Sequence, residues 1–145
     1  MARIERFEDI EGWKRGRELC QMVYTLTNKG AFSRDYGLRD QIRRAAISVI
    51  SNIAEGFEVQ NDRTFIRYLY IAKGSSGEVR AQSYAALDQG CITQAEFDTL
   101  YKTTSEVSRL ISGFIKYLEK HLTSNSDDFR PLTLDFRQGE NTWRY

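Results

Sequence analysis

The sequence predicts an all-α fold: an antiparallel up-down four-helix bundle. Four stretches of about twenty residues carry apolar side chains at spacings of three and four, the pattern of helices that are buried on one face. The single proline, Pro131, lies near the C-terminus, so nothing before it interrupts a long helix. Short polar or glycine-containing links separate the four stretches, as expected for antiparallel neighbours in a bundle.

The first two predicted helices occupy the N-terminal third of the chain. The first runs from about Ile10 to Lys29, with Asp9 as its N-cap and Gly30 as its stop. Its buried face is formed by apolar residues, Trp13, Cys20, Val23 and Leu26. Residues 31–37 are predicted to form a loop, and the second helix spans residues 38–55 and ends near Gly56.

The third predicted helix contains two glycines in its middle. Asp62 is its N-cap and Gly90 its C-cap. Gly74 and Gly77 each cost about 1 kcal/mol relative to Ala within a helix, so they predict a place where another backbone comes close. A local break or kink of the helix between these glycines is the alternative.

The fourth predicted helix begins with the clearest local signal in the chain. Thr93 and Glu96 have the spacing of a capping box, and the apolar period continues to Lys120. The bundle is therefore expected to span residues 1–121, and residues 122–145 are expected to form a C-terminal tail, either an extended arm or disordered.

Composition limits the classes of function. The net charge is +1, from 21 Lys and Arg against 20 Asp and Glu, so any nucleic-acid affinity must come from a local patch. The two cysteines lie far apart without a Cys or His companion and predict reduced thiols. No apolar run is long enough to span a bilayer, so we expect a cytoplasmic protein without a membrane partner.

A polar seam on the second helix predicts a hydrogen-bonded contact with a neighbouring helix or another subunit. Polar side chains in a partly buried position need partners; the alternative is a seam bonded to water. The predicted contact residues lie on the second and third helices: Ser48, Asn52, Glu55, Gly74, Ser75, Gly77 and Glu78.

An arginine cluster predicts phosphate binding. Guanidinium groups bind phosphates with two parallel hydrogen bonds. The candidate nucleic-acid-binding residues lie at the start of the second and third helices: Arg39, Arg43, Arg44, Arg63 and Arg67. Acidic residues are equally near in sequence, so ion pairs within or between subunits are the alternative.

The sequence does not predict an enzyme. His121 is the single histidine, and no Gly-rich phosphate loop, metal cluster or cofactor motif is present. A helical RNase of the HEPN type would carry an arginine five residues before that histidine, and this chain has Lys116 there. Glu55 and Glu78 lack the Glu-x-x-His elements of di-metal bundles. We therefore expect no catalytic residue, metal or cofactor.

Four segments together resemble a known family. Trp13 is followed by YGLRDQIRRAAIS over residues 36–48, SNIAEGF over residues 51–57 and YLYIAKGSSGE over residues 68–78. In order and spacing these segments resemble the bundle proteins named after intervening sequences in 23S ribosomal RNA genes, also called S23 ribosomal proteins. The resemblance implies a homopentameric ring.

The same family is similar to the accessory protein of diversity-generating retroelements. That similarity implies RNA or DNA and a reverse transcriptase as partners. The expected function is a non-enzymatic oligomeric accessory or scaffold that binds nucleic acid through the arginines of the second helix. The alternative is a structural or protein-interaction oligomer without nucleic-acid binding.

Overall fold

The computed structural model describes residues 4–122, and in this range the chain is helical. A 3-10 turn, Phe7–Asp9, precedes five helices: α1 (Glu11–Thr27), α2 (Gly30–Arg34), α3 (Tyr36–Glu58), α4 (Asp62–Asp88) and α5 (Gln94–Lys120). The predicted C-terminal tail, apart from its first residue, lies outside the described residues.

The four long helices form an antiparallel bundle, as the sequence predicts. Each of α1, α3, α4 and α5 packs against two of the others, so the helices follow one another around a common core. Aromatic rings fill one end of that core, where Phe65 meets Phe57 and Phe114 edge-on with ring centroids 6.1 and 5.5 Å apart. Such edge-to-face pairs stabilise the core beyond the area that they bury.

Two predicted N-caps are displaced by one residue. Ile10 precedes α1 without a side-chain cap, and Asp9 instead belongs to the 3-10 turn, where its carboxylate lies 3.5 Å from Arg6. At α4 the cap is Asn61, whose Oδ1 accepts a hydrogen bond from the Thr64 amide at 3.0 Å, and Asp62 is the first helical residue. Asn61 and Asp62 are both good caps in sequence, which explains the displacement at α4, whereas α1 begins without a side-chain cap.

The predicted loop at residues 31–37 is wrong. This segment contains α2 and the first turn of α3, because Phe32 is fully buried and holds the short helix against the core. Asp35 then caps α3 by accepting a hydrogen bond from the Leu38 amide at 3.1 Å. Gly30, the predicted stop of the first helix, begins α2, and α1 already ends at Thr27.

Gly56 lies inside α3 and does not end it. A Cβ at this position would come within 2.6 Å of Tyr68 Cβ and 2.8 Å of Phe65 Cδ2, so α3 and α4 approach each other most closely here. Glycine is required because no side chain fits between the two helices. The helix continues for two more residues, to Glu58.

The predicted capping box at the start of α5 is present. Thr93 Oγ1 accepts a hydrogen bond from the Glu96 amide at 3.1 Å, and Glu96 Oε1 accepts one from the Thr93 amide at 2.9 Å. Lys29 lies 3.1 Å from the other carboxylate oxygen. The Thr93 amide, and then Lys29, lower the pKa of Glu96 because they favour its charged form.

We expect Gly56→Ala and Gly77→Ala to change stability in opposite directions. Gly56→Ala forces α3 away from α4 and should lower the free energy of unfolding by about 1 to 3 kcal/mol. An added Cβ at Gly77 meets no atom within 4 Å, so Gly77→Ala should raise it by up to about 1 kcal/mol through helix propensity. Urea unfolding followed by circular dichroism measures both, and equal effects would contradict the assigned packing.

Candidate anion-binding groove

A groove of about 990 Å³ runs along the outer surface between α4 and α5. Its floor consists of small residues: Gly74, Gly77, Ser105, Ser108, Ser112 and Gly113. Its rim carries Tyr70 and four cations: Lys73, Arg80, Arg109 and Lys116.

Small and hydroxyl side chains produce the groove because they let the two helices pack closely. Ser76 is fully buried between α4 and α5, and its hydroxyl donates a hydrogen bond to the Thr104 carbonyl at 3.0 Å. The Ser108 hydroxyl in turn donates to Ser76 Oγ at 3.3 Å. The buried polar groups are therefore satisfied, and the small side chains next to them leave an open depression on the outer side.

The four rim cations lie along both walls of the groove. Lys73 and Arg80 on α4 are seven residues apart, about 10.5 Å along the helix, and Arg109 and Lys116 on α5 have the same separation. The contacts of Ser76 with Thr104 and Ser108 set the register of the two antiparallel helices and place Lys73 at about the height of Arg109. Lys116 and Arg80 therefore lie towards opposite ends of the groove.

The groove has a positive charge without compensation from its own lining. None of the lining residues is acidic, and within residues 4–122 none of the four cations forms an ion pair. The Arg80 guanidinium stacks over the Tyr101 ring, 5.6 Å from its centroid. Like charges that face each other without counter-ions repel, so the arrangement favours binding of an anion.

Glu119 lies at the end of the groove marked by Tyr70 and Lys116. Its carboxylate accepts the Tyr70 hydrogen bond, and this interaction raises the pKa of the Tyr70 phenol. The phenol ring itself is half exposed.

The arginines predicted at the start of the second helix lie elsewhere and are partly engaged. Arg39 donates to the Ser33 carbonyl at 3.0 Å and to Asp40 Oδ1 at 3.1 Å. Arg43 donates to Thr27 Oγ1 and Asn28 Oδ1, each at 2.8 Å. Its guanidinium also covers the Tyr24 ring at 4.6 Å, so Arg43 ties α3 to the end of α1.

The structure separates the two predicted arginine groups. Arg63 and Arg67 lie on the first turns of α4, beside the end of α3, where Tyr68 donates to Glu55 Oε1 at 3.2 Å. Arg43 precedes Glu55 by twelve residues, about 18 Å along α3. The five arginines therefore do not form one patch, although Arg44, Arg63 and Arg67 are each exposed.

A family model for the 23S rRNA-intervening sequence protein matches residues 8–113. The chain belongs to this family. One similar solved structure is a protein of unknown function from the S23 ribosomal protein family of Bacteroides thetaiotaomicron, with a TM-score of 0.66 and 21% identity. That match covers 72% of this chain and 98% of the other. A comparison with curated proteins gives no match.

Four of the seven predicted contact residues take part in hydrogen bonds where α3 meets α4: Ser48, Asn52, Glu55 and Ser75. The Ser48 and Ser75 hydroxyl oxygens are 2.8 Å apart across the two helices. Asn52 Nδ2 donates to the Ser48 carbonyl at 2.7 Å and to its hydroxyl at 2.9 Å. Glu55 accepts from Tyr68, as described above, and Glu78 is exposed.

The glycines Gly74 and Gly77 of α4 predicted a close approach of another backbone, and no backbone of the same chain comes close to them. α4 is continuous through Gly74 and Gly77, so there is no break at this point. A Cβ at either glycine would meet no atom within 4 Å, so no backbone of the same chain approaches them. Both glycines instead form the floor of the groove.

The described residues offer little chemistry for catalysis. Between residues 4 and 122, no group of three or more His, Cys, Asp or Glu side chains could hold a metal ion. His121 Nδ1 lies 2.7 Å from the Tyr117 carbonyl at the end of α5. Burial raises the pKa of the Cys20 thiol to about 11.

Among the helices of residues 4–122, none has the length and apolar character that a membrane span requires.

The groove cations were missed by the sequence analysis, although a signal was present. In each helix two basic residues seven positions apart enclose a segment with glycine and serine: KGSSGEVR over residues 73–80 and RLISGFIK over residues 109–116. Residues seven apart lie on the same face of a helix. Each segment alone is ordinary, and only the register of α4 against α5 brings the two together.

We expect Arg43 to contribute to stability and Arg44 to contribute little. Arg43→Gln removes two hydrogen bonds and a ring contact at a half-buried position, and should lower the free energy of unfolding by about 1 to 2 kcal/mol. Arg44→Gln removes the same charge from an exposed neighbouring position and should change it by less than about 0.5 kcal/mol. Urea denaturation tests both, and a large effect of Arg44→Gln alone would contradict this assignment.

Proposed function

We propose that this protein is a non-catalytic accessory protein that assembles with copies of itself and binds RNA or DNA through backbone phosphates. The observation that carries the proposal is the groove between α4 and α5, in which four cations surround a floor of Gly and Ser without a carboxylate. Charge-assisted hydrogen bonds from Arg and Lys are the main contacts by which proteins hold phosphate groups.

The shape of the groove supports a chain-like anion over a small one. The two cations on each wall are about 10.5 Å apart along the helix, which exceeds the reach of a single phosphate. A nucleic-acid strand carries charges at regular intervals and can neutralise the cations along the groove together. Because the net charge of the whole chain is only +1, this local patch, and not the overall field, would attract the ligand.

Cations outside the groove supply additional contacts in this proposal. Arg44, Arg63 and Arg67 are exposed and form no ion pair within residues 4–122, so each can approach a phosphate. Arg39 and Arg43 contribute less, because their donors already bond to neighbouring groups. These contacts would position the nucleic acid without reading its sequence.

Exposed apolar side chains support self-assembly. Ile71 and Tyr84 on α4 are 53% and 50% exposed, and Ile47 on α3 is 39% exposed. Large apolar groups on the outer faces of two adjacent helices are typical of a surface that meets another protein. We propose the homopentamer that the family resemblance implies, in which several grooves on one particle raise affinity through avidity.

The same exposed side chains favour a second candidate function. A structural or protein-interaction oligomer, with a reverse transcriptase among its possible partners by resemblance, would use this surface and would not bind nucleic acid. The two functions differ in a single observable, the affinity of the assembled protein for RNA or DNA.

We expect the purified protein to have the mass of a pentamer, about 84 kDa for five copies of the 16.8-kDa chain. Multi-angle light scattering at micromolar concentration measures this mass directly. Ile71→Glu places a charge on the proposed interface and should shift the mass towards that of one chain, whereas Asp88→Asn at the exposed end of the same helix should not. A parent protein that has the mass of one chain would contradict the assembly proposal.

Nucleic-acid binding should depend strongly on salt. The expected result is measurable binding of a labelled 30-nucleotide RNA or DNA at about 50 mM salt, and a linear fall of log K with log salt. Fluorescence anisotropy measures the affinity at each salt concentration. Absence of binding at about 50 mM salt would reject the nucleic-acid function and favour the second candidate.

A further inference from the structure

The groove is recessed, and its shape determines whether a single strand or a duplex of nucleic acid can enter it. Its floor lies between two packed helices, and its cations stand on both sides. In a duplex the two backbones wind around each other, so the second strand meets the rim before the first backbone can lie along the floor. A single strand bends freely and can place its backbone on the floor.

We infer that the groove between α4 and α5 binds two or three consecutive nucleotides of one RNA or DNA strand. This inference rests on the proposed function and specifies its ligand. The phosphates would lie between the wall of α4, with Lys73 and Arg80, and the wall of α5, with Arg109 and Lys116. At the rise of about 3.4 Å per nucleotide of a duplex strand, the spacing of about 10.5 Å between the two cations of each wall corresponds to about three nucleotides, and to fewer in an extended strand.

The floor allows a close approach of the sugar-phosphate backbone. Gly74 and Gly77 have open space where a side chain would be, so a phosphate can lie against the helix surface. The hydroxyls of Ser105 and Ser112 line the same floor and can donate hydrogen bonds to phosphate oxygens. Neither helix has to move to admit the strand.

Aromatic side chains lie at both ends of the groove. The Tyr70 ring is 51% exposed at one end, and its hydrogen bond to Glu119 holds it in place. At the other end Arg80 already stacks on Tyr101, which is 42% exposed. Base stacking on such rings is tolerant of sequence. The groove should therefore bind single strands without a strong preference for particular bases.

The test compares a labelled 12-nucleotide oligothymidylate with a labelled 12-base-pair duplex, both titrated with the full chain. We expect the single strand to bind at least tenfold more tightly than the duplex. Its salt dependence should have a slope of about −1.4 to −2.1 per occupied groove, since each phosphate contact to a single strand contributes about −0.7. Equal or tighter binding of the duplex would overturn the inference for a single strand.

Charge variants locate the site. Arg109→Gln with Lys116→Gln removes both cations of the α5 wall and should weaken oligothymidylate binding at least tenfold and reduce the slope. Arg63→Gln with Arg67→Gln removes the same charge from exposed positions outside the groove and serves as the matched control. An equal loss in both double variants would show that the charge acts without a defined site and would overturn the inference.

A shape variant tests the floor without changing the charge. Gly77→Leu places a bulky side chain in the groove and should weaken binding of the single strand at least tenfold, whereas Gly77→Ala should have little effect. Circular dichroism and light scattering verify that the fold and the particle mass of each variant match the parent. A change of mass in the groove variants would mean that the groove is a contact between subunits, which would also overturn the inference.

The outcomes separate the two proposals. If the parent protein binds neither oligonucleotide, the proposed function fails and the inference fails with it. If the parent binds and the groove variants bind equally well, the proposed function stands and the assignment of the groove is wrong.

Discussion

The close packing of α4 against α5 at Ser76 is the constraint on which the rest of the structure depends. A buried hydroxyl that donates to the Thr104 carbonyl fixes the height of one helix against the other, since a shift by one turn would leave the hydroxyl without a partner. Phe65 against Phe114 holds one end of the interface, and Tyr84 against Phe97 holds the other, with ring centroids 4.7 Å apart. This register brings basic residues of two helices to the walls of one groove.

The cations of the molecule divide into two groups by their surroundings. Arg15 bonds to Glu18 and Glu106, and its Nε lies 2.8 Å from Glu106, so it joins α1 to α5. Arg43 joins α1 to α3 through neutral partners. These arginines stabilise contacts between helices. The groove cations instead face solvent and form no ion pair with a carboxylate within residues 4–122. The difference follows from position, because residues that bridge helices find partners and residues around a small-residue floor do not.

The sequence predicts the bundle well because burial imposes a helical period on each long segment. It also predicts the capping box of α5, which involves only two residues three apart in the chain. The helix α2 could not be predicted, since the burial of Phe32 depends on the finished core. The role of Gly56 depends likewise on Phe65 and Tyr68 in the next helix. The groove was missed for the same reason: its two walls are visible separately in the sequence, but their register is a tertiary property.

Lysine acylation measured by mass spectrometry tests the central claim most directly. Lys73 and Lys116 stand at the groove, and Lys102 is an exposed lysine on α5 outside its lining. In the free protein all three should react readily. With oligothymidylate bound, the reactivity of Lys73 and Lys116 should fall while that of Lys102 stays unchanged. Equal protection of the three lysines, or protection of the groove lysines before any oligonucleotide is added, would contradict an open groove that binds a nucleic-acid strand.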